Sequence, residues 1–136
     1  MSDRTRQAGS LLASALLAVL TVSVFAVSQN RGPESAVTRF EESVVRQDAQ
    51  MLEGSLLQPP EHPDSQFLVA YVLRLRRLNP SVRYVNQTKR GIQGQVVALY
   101  TAPTGRPMAF VPFVLRKVGA SWRVDATETV RILRQM

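Results

Sequence analysis

Hydrophobic and polar positions divide the chain into three regimes. No charged residue lies between Arg6 and Arg31, a stretch of 24 residues whose heart, Leu11 to Val27, is apolar or small throughout. As a helix it would reach about 36 Å at roughly 1.5 Å per residue, against a bilayer core about 30 Å thick. Beyond it the apolar residues recur at helical spacing. Ala36, Val37, Phe40, Val44 and Val45 share one face, while Arg39, Glu42 and Arg46 fall largely on the other. Pro33 suits a first helical turn, where its missing N–H is not needed. Asp48 interrupts the pattern and reads as the N-cap of a second, short helix, "AQMLEGSLL". The loop "QPPEHPD" follows. Asp64 or Ser65 then caps a third helix, "QFLVAYVLRLRRL", with Phe67, Leu68, Tyr71, Val72, Leu75 and Leu78 on its apolar face and Asn79-Pro80 as its stop.

From Ser81 the period falls to two. "VRYVNQT", "GQVVALYTA", "PMAFVPFVLRK" and "SWRVDA" read as four strands. The turns between them, "KRGIQ", "PTGR" and "VGA", each hold a glycine able to take positive φ. Pro107 and Pro112 argue for an edge or bulged position in the third strand. Trp122, Val124 and Ala126 point one way and Arg123 and Asp125 the other. This register places Trp122 on the inner face, against the helix that carries Phe40 and Val44. The tail "TETVRILRQM" fits a capped helix or a last strand equally well.

A sheet with one apolar face needs a cover, which amphipathic helices supply. The expected fold is therefore α+β: an N-terminal transmembrane helix, then two to three helices packed on a curled antiparallel sheet of about four strands. Residues 1–28 form a membrane anchor or signal peptide, residues 29–32 a linker, and residues 33–136 the folded domain.

Charge orients this arrangement. Arg4 and Arg6 precede the apolar run, which keeps the short N-terminus in the cytoplasm and puts the domain outside it. Two outcomes stay open. Residues 8–28 remain as a single-pass anchor in the cell membrane, or a signal is cut after Ser28 in "AVS" and the domain is secreted. Either compartment argues against nucleic acid as a partner, although the net charge is +7 with 17 Lys+Arg against 10 Asp+Glu. A nucleic-acid-binding sheet would also expose aromatics between basic residues, whereas Trp122 keeps the apolar register. Arg74, Arg76, Arg77 and Arg83 fall within ten residues. They form a solvated helix face or a contact with anionic lipid or cell-wall polymer.

The stretches "PESAVTRFEESVVRQDAQML" and "FVLRKVGASWRVDA" carry a resemblance to the nuclear-transport-factor-2-like superfamily, the cystatin-like α+β cone. The first is similar to the family's opening helix, an aromatic followed by a turn, Asp and a hydrophobic: here Phe40, Gln47, Asp48, Met51 and Leu52. The second resembles its late hairpin, in which Arg-Lys leads through a glycine turn to Trp-Arg-Val. The resemblance covers residues 33–126. A single membrane helix before such a domain also resembles, in architecture, the periplasmic assembly subunits of type IV secretion machines.

Catalytic members of the superfamily imply an Asp base, a Tyr or protonated acid as oxyanion donor, or a His–Asp pair. The chain has one histidine, His62, in a proline-rich loop, and Asp48 at a helix start. Neither is expected to be catalytic. Glu61, His62 and Asp64 are close in sequence, but the flanking prolines prevent helical presentation to a metal. The absence of cysteine removes thiol nucleophiles, Cys-based zinc sites and disulfides. No cofactor is implied. The ligand-binding candidates are Tyr71, Tyr84 and Tyr100, read as core residues with their hydroxyls at the surface. The expected function is a non-catalytic binding or assembly module whose partner is an envelope protein, a small apolar ligand, or a second copy docked through the sheet. The alternatives are a small hydro-lyase or isomerase on the same fold and a structural subunit of an envelope complex.

Overall fold

The computed structural model describes residues 32–136; the apolar run assigned above as an anchor lies outside them. The element order is α1 (Pro33–Arg46), α2 (Ala49–Ser55), α3 (Pro63–Arg76), β1 (Ser81–Arg90), β2 (Gln93–Thr101), β3 (Pro107–Val118), β4 (Ser121–Val124) and α4 (Ala126–Gln135). The four strands form one antiparallel meander in the order β1-β2-β3-β4. The domain is thus α+β, with one more helix than the two to three expected. Among the described residues no helix is long and apolar enough to cross a membrane.

The two periods in the sequence meet at one core. Alternation sends Val96, Ala98 and Tyr100 of β2, Val111, Phe113 and Leu115 of β3, and Trp122 and Val124 of β4 to the inner face. The helical stripe of α1 supplies Ala36, Val37, Phe40 and Val44 against them, and Phe40 meets Phe113 edge-on at 5.9 Å between ring centroids. Leu68 and Val72 of α3, Leu56 and Val130 close the remaining sides. Trp122 is 1% exposed and packs against α1 as its register requires, though at the first turn, near Pro33.

The turns form for the reason their glycines suggest. Gly91, Gly105 and Gly119 all have positive φ. Gly91-Ile92 and Gly119-Ala120 close two-residue hairpins between Arg90 and Gln93 and between Val118 and Ser121, with the glycine taking the conformation that other residues avoid. Pro112 is accommodated because β4 pairs with β3 only over Leu115 to Val118; on the open side its missing N–H leaves no partner unsatisfied. Pro107 lies beside a register shift at Tyr100/Thr101.

Two local assignments change and one left open is decided. First, α3 begins at Pro63, not after Ser65. His62 is its N-cap, and its Nδ1 accepts the Asp64 N–H at 3.1 Å. The prolines of the loop therefore start a helix, with Pro63 pre-set at the first position. Second, the tail is helical. Third, Asp125 does not point to solvent as the fourth strand's alternation implied. It is 5% exposed, caps α4 through the Glu128 N–H at 3.2 Å, and receives the Gln58 amide at 2.8 Å. The strand had already ended at Val124.

Asp48 caps α2 as read, accepting the Met51 N–H at 3.1 Å. Asparagine offers the same acceptor, so Asp48→Asn is expected to be nearly neutral. Asp48→Ala should cost about 0.5–2 kcal/mol. Chemical denaturation of the two variants checks the pair.

Candidate functional site

Helix α1 carries one residue that breaks its own pattern. Glu41 follows Val37 by four positions and precedes Val44 by three, so the helix delivers its carboxylate to the apolar side, where it is 5% exposed. An unpaired carboxylate there would be costly. The sheet answers with two phenols. Val82 pairs with Tyr100 and Tyr84 with Ala98, which puts Tyr84 and Tyr100 on the same inner face of neighbouring strands. Tyr100 Oη donates a short hydrogen bond to Glu41 Oε1, and Tyr84 Oη donates to Oε2 at 3.3 Å. Thr38, one turn before Glu41, places Oγ1 2.9 Å from Tyr84 Oη and donates to the Glu34 carbonyl at 3.1 Å.

Electrostatics follow from this geometry. Burial raises the Glu41 pKa above its ordinary value, while the Tyr100 hydrogen bond, the charge of Arg76 and the Tyr84 hydrogen bond pull it back. Both phenols are harder to ionise than usual, first because they are buried and then because Glu41 is beside them. Tyr84 is pushed up to about 12, and Tyr100 is raised further. The group is therefore a carboxyl that holds its proton above the usual range, flanked by two phenols that remain donors.

A cleft of about 370 Å³ reaches this group from outside. Thr38, Glu41, Glu42, Val45, Arg46, Arg76, Val82 and Tyr84 line it. Tyr84 is half-buried and presents its hydroxyl there, whereas Tyr100 is fully buried. Chemically, the cleft presents the Glu41 carboxyl and the Tyr84 and Thr38 hydroxyls, whose hydrogen bonds are made within the protein, together with Arg76 and with Arg46, which is paired with Glu42 at 2.7 Å.

The structure brings together two of the three tyrosines named from the sequence. Tyr71 lies on α3 and stacks on Phe67 at 6.3 Å instead. Of the arginine group, Arg74 and Arg77 are exposed at the end of α3, Arg83 is exposed on β1, and Arg76 is half-buried in the cleft with Glu41, where its charge favours the carboxylate. His62 and Asp48 sit at helix starts, each occupied as a cap. Sequence reasoning missed Glu41. The signal was present, because a carboxylate at i+4 from Val37 and i−3 from Val44 falls inside an apolar stripe.

No family model matches the chain, and no curated protein does. Among solved structures the chain is similar to a proposed NTF2-like transpeptidase from Campylobacter jejuni, at 12% sequence identity and a TM-score of 0.47, over 68% of this chain and 95% of that one.

Proposed function

We propose that this protein is a membrane-anchored, extracytoplasmic module of the nuclear-transport-factor-2-like type that binds or assembles and does not catalyse. One observation carries the non-catalytic reading. The space between α1 and the sheet is filled by Trp122, Tyr100, Phe40 and Phe113, each at or below 1% exposure, and the Glu41 carboxylate beside it is occupied by the fold's own tyrosines. A ligand chamber needs room and unpaired polar groups that converge on it. Binding then falls to surfaces: the cleft over Glu41, and the outer sheet face, where half-buried Leu99 pairs with Phe110. Phe110 is 48% exposed, which suits an envelope protein or a second copy of this chain.

The anchoring half rests on the charge-free run after Arg6. The full chain is expected to fractionate with membranes, to resist high salt and alkaline carbonate, and to be released by detergent. Recovery of a soluble protein beginning at Gln29 would replace the anchor with a cleaved signal.

A second reading is favoured by the Glu41–Tyr100–Tyr84 group. A neutral carboxylic acid beside a phenol is a known donor pair for a developing oxyanion, and such chemistry belongs to the hydro-lyase or isomerase alternative. Glu41→Gln separates the readings. A folded variant that still binds its partner supports the module, and a folded variant that loses a measurable turnover supports the enzyme.

A further inference from the structure

Two basic surfaces lie at opposite ends of the sheet, and the chain enters the domain at one of them. A Cβ on Gly94 would lie 3.3 Å from Pro33 Cγ and 3.2 Å from the Trp122 ring. The start of α1 is thus seated beside the β1–β2 hairpin. That hairpin and its neighbour are tied together, since the Lys117 N–H donates to the Ile92 carbonyl at 2.7 Å. Their tips expose two aliphatic side chains next to one another in the fold, Ile92 at 63% and Val118 at 46%. Lys89, Arg90, Arg116 and Lys117 flank them, all exposed. Behind the tips a cleft of about 690 Å³ is lined by Thr88, Arg90, Gln93 and Arg131, among others. The acids nearby are Glu34, in the first turn of α1, and Glu128, which is paired with Arg131 at 2.8 Å.

We infer that this hairpin end docks on an anionic lipid surface, with Ile92 and Val118 entering the interfacial layer and Lys89, Arg90, Arg116 and Lys117 meeting lipid phosphates. The inference rests on the anchored reading above. Residues 29–32 are all that separate the proposed anchor from Pro33, and four residues reach at most about 14 Å. The hairpin tips are therefore within reach of the bilayer. The arginine group at the far end is placed differently. Arg83 and Arg90 are seven residues apart on β1, roughly 23 Å at about 3.3 Å per residue, and charges separated by more than about 8–10 Å are largely screened at physiological salt. Leu78, 59% exposed beside Arg77, has similar chemistry but lies at the end away from the tether.

The chain has no cysteine, so single sites can be labelled without removing any native residue. Full-length chains carrying Ile92→Cys, Val118→Cys or Leu78→Cys, each with an environment-sensitive fluorophore, are reconstituted into vesicles with or without phosphatidylglycerol. Lipids brominated in their chains serve as the quencher. Labels at 92 and 118 should be quenched several-fold more than the label at 78. The difference should shrink in phosphatidylcholine alone, in high salt, and with Arg90→Glu plus Arg116→Glu, while Trp122 emission reports an unchanged fold. Carbonate washing reads the anchor separately. A chain that survives the wash with unquenched tips overturns the docking and leaves the anchor standing. A chain that is washed off yet shows quenched tips at low salt supports the docking and removes the anchor. Quenching confined to position 78, or at none of the three, overturns the inference.

Discussion

Trp122→Ala is expected to leave the domain largely unfolded or aggregating. The ring is 1% exposed at the junction of β4, the second residue of β2 and the first turn of α1. Truncating a buried aromatic costs about 3–5 kcal/mol, and a domain is held together by about 5–15 kcal/mol in total. The cavity would lie beside Gly94, where an added Cβ would come within 3.2 Å of the ring and 3.3 Å of Pro33 Cγ. The backbone of β2 is fixed there by pairing on both sides, so the site cannot collapse to fill it. Lys89, whose ammonium lies 5.7 Å from the ring centroid, would also lose its cation–π partner. Arg123→Ala next door should stay folded. Arg123 reaches the Glu53 and Leu56 carbonyls only at 3.5 and 3.4 Å, and long hydrogen bonds of this kind contribute little. Thermal unfolding of the full chain in detergent, with the parent's tryptophan emission as a burial check, decides the matter. Red-shifted, readily quenched emission from a folded parent would mean that the ring is exposed and the inner face misassigned.

The reason this core was legible in advance is that period and burial are coupled wherever one face of an element is apolar. Trp122 to Asp125 alternate strictly, while Val96–Tyr100 and Val111–Leu115 are uninterrupted apolar runs whose short length, β-branched and aromatic content and flanking turns mark them as strands. The glycines in the three turns then fixed where each strand had to reverse. The same logic failed where a polar residue belonged inside. Asp125 continued the alternation of Arg123 and so read as solvent-facing, yet it is the cap that starts α4 and the anchor for Gln58. Asp125 and Glu128 have the spacing of a helix start, but a four-residue strand immediately before them carries the same pattern, and local sequence does not choose between the two. Glu41 was hidden for a related reason. A carboxylate within an apolar stripe is explained only by its partners, and Tyr84 and Tyr100 lie more than forty residues away. Such pairings follow from register, which one-dimensional reading does not supply.

That partnership yields a sharp pH expectation. The Glu41 pKa is raised in the folded protein from 4.5, chiefly by burial. Between 4.5 and the raised value the folded state keeps a proton that the unfolded chain has released. The stability Glu41 contributes is therefore fully present below pH 4.5 and is lost as pH rises through the folded pKa. Glu41→Gln should abolish this slope. Its amide oxygen can accept from Tyr100, its NH2 can donate to Tyr84, and Tyr84 can turn its own proton to Thr38 Oγ1. The variant should consequently be at least as stable as the parent at neutral pH. Glu41→Leu should fare worse at every pH, because the fully buried Tyr100 hydroxyl would lose its acceptor, a penalty of about 1–3 kcal/mol. Tyr100→Phe should move the Glu41 pKa still higher, since the hydrogen bond it removes is the largest influence pulling that pKa down. Thermal midpoints from pH 4 to 8, with carboxyl-carbon NMR of Glu41 in the parent and in Tyr100→Phe, test all three statements. A parent that gains stability across this range, with Glu41→Gln as damaging as Glu41→Leu, would show an ionised carboxylate held by Arg76 and the tyrosines. The cleft would then present a fixed negative charge to whatever it binds, and the proton that the oxyanion-stabilising reading requires would not be there.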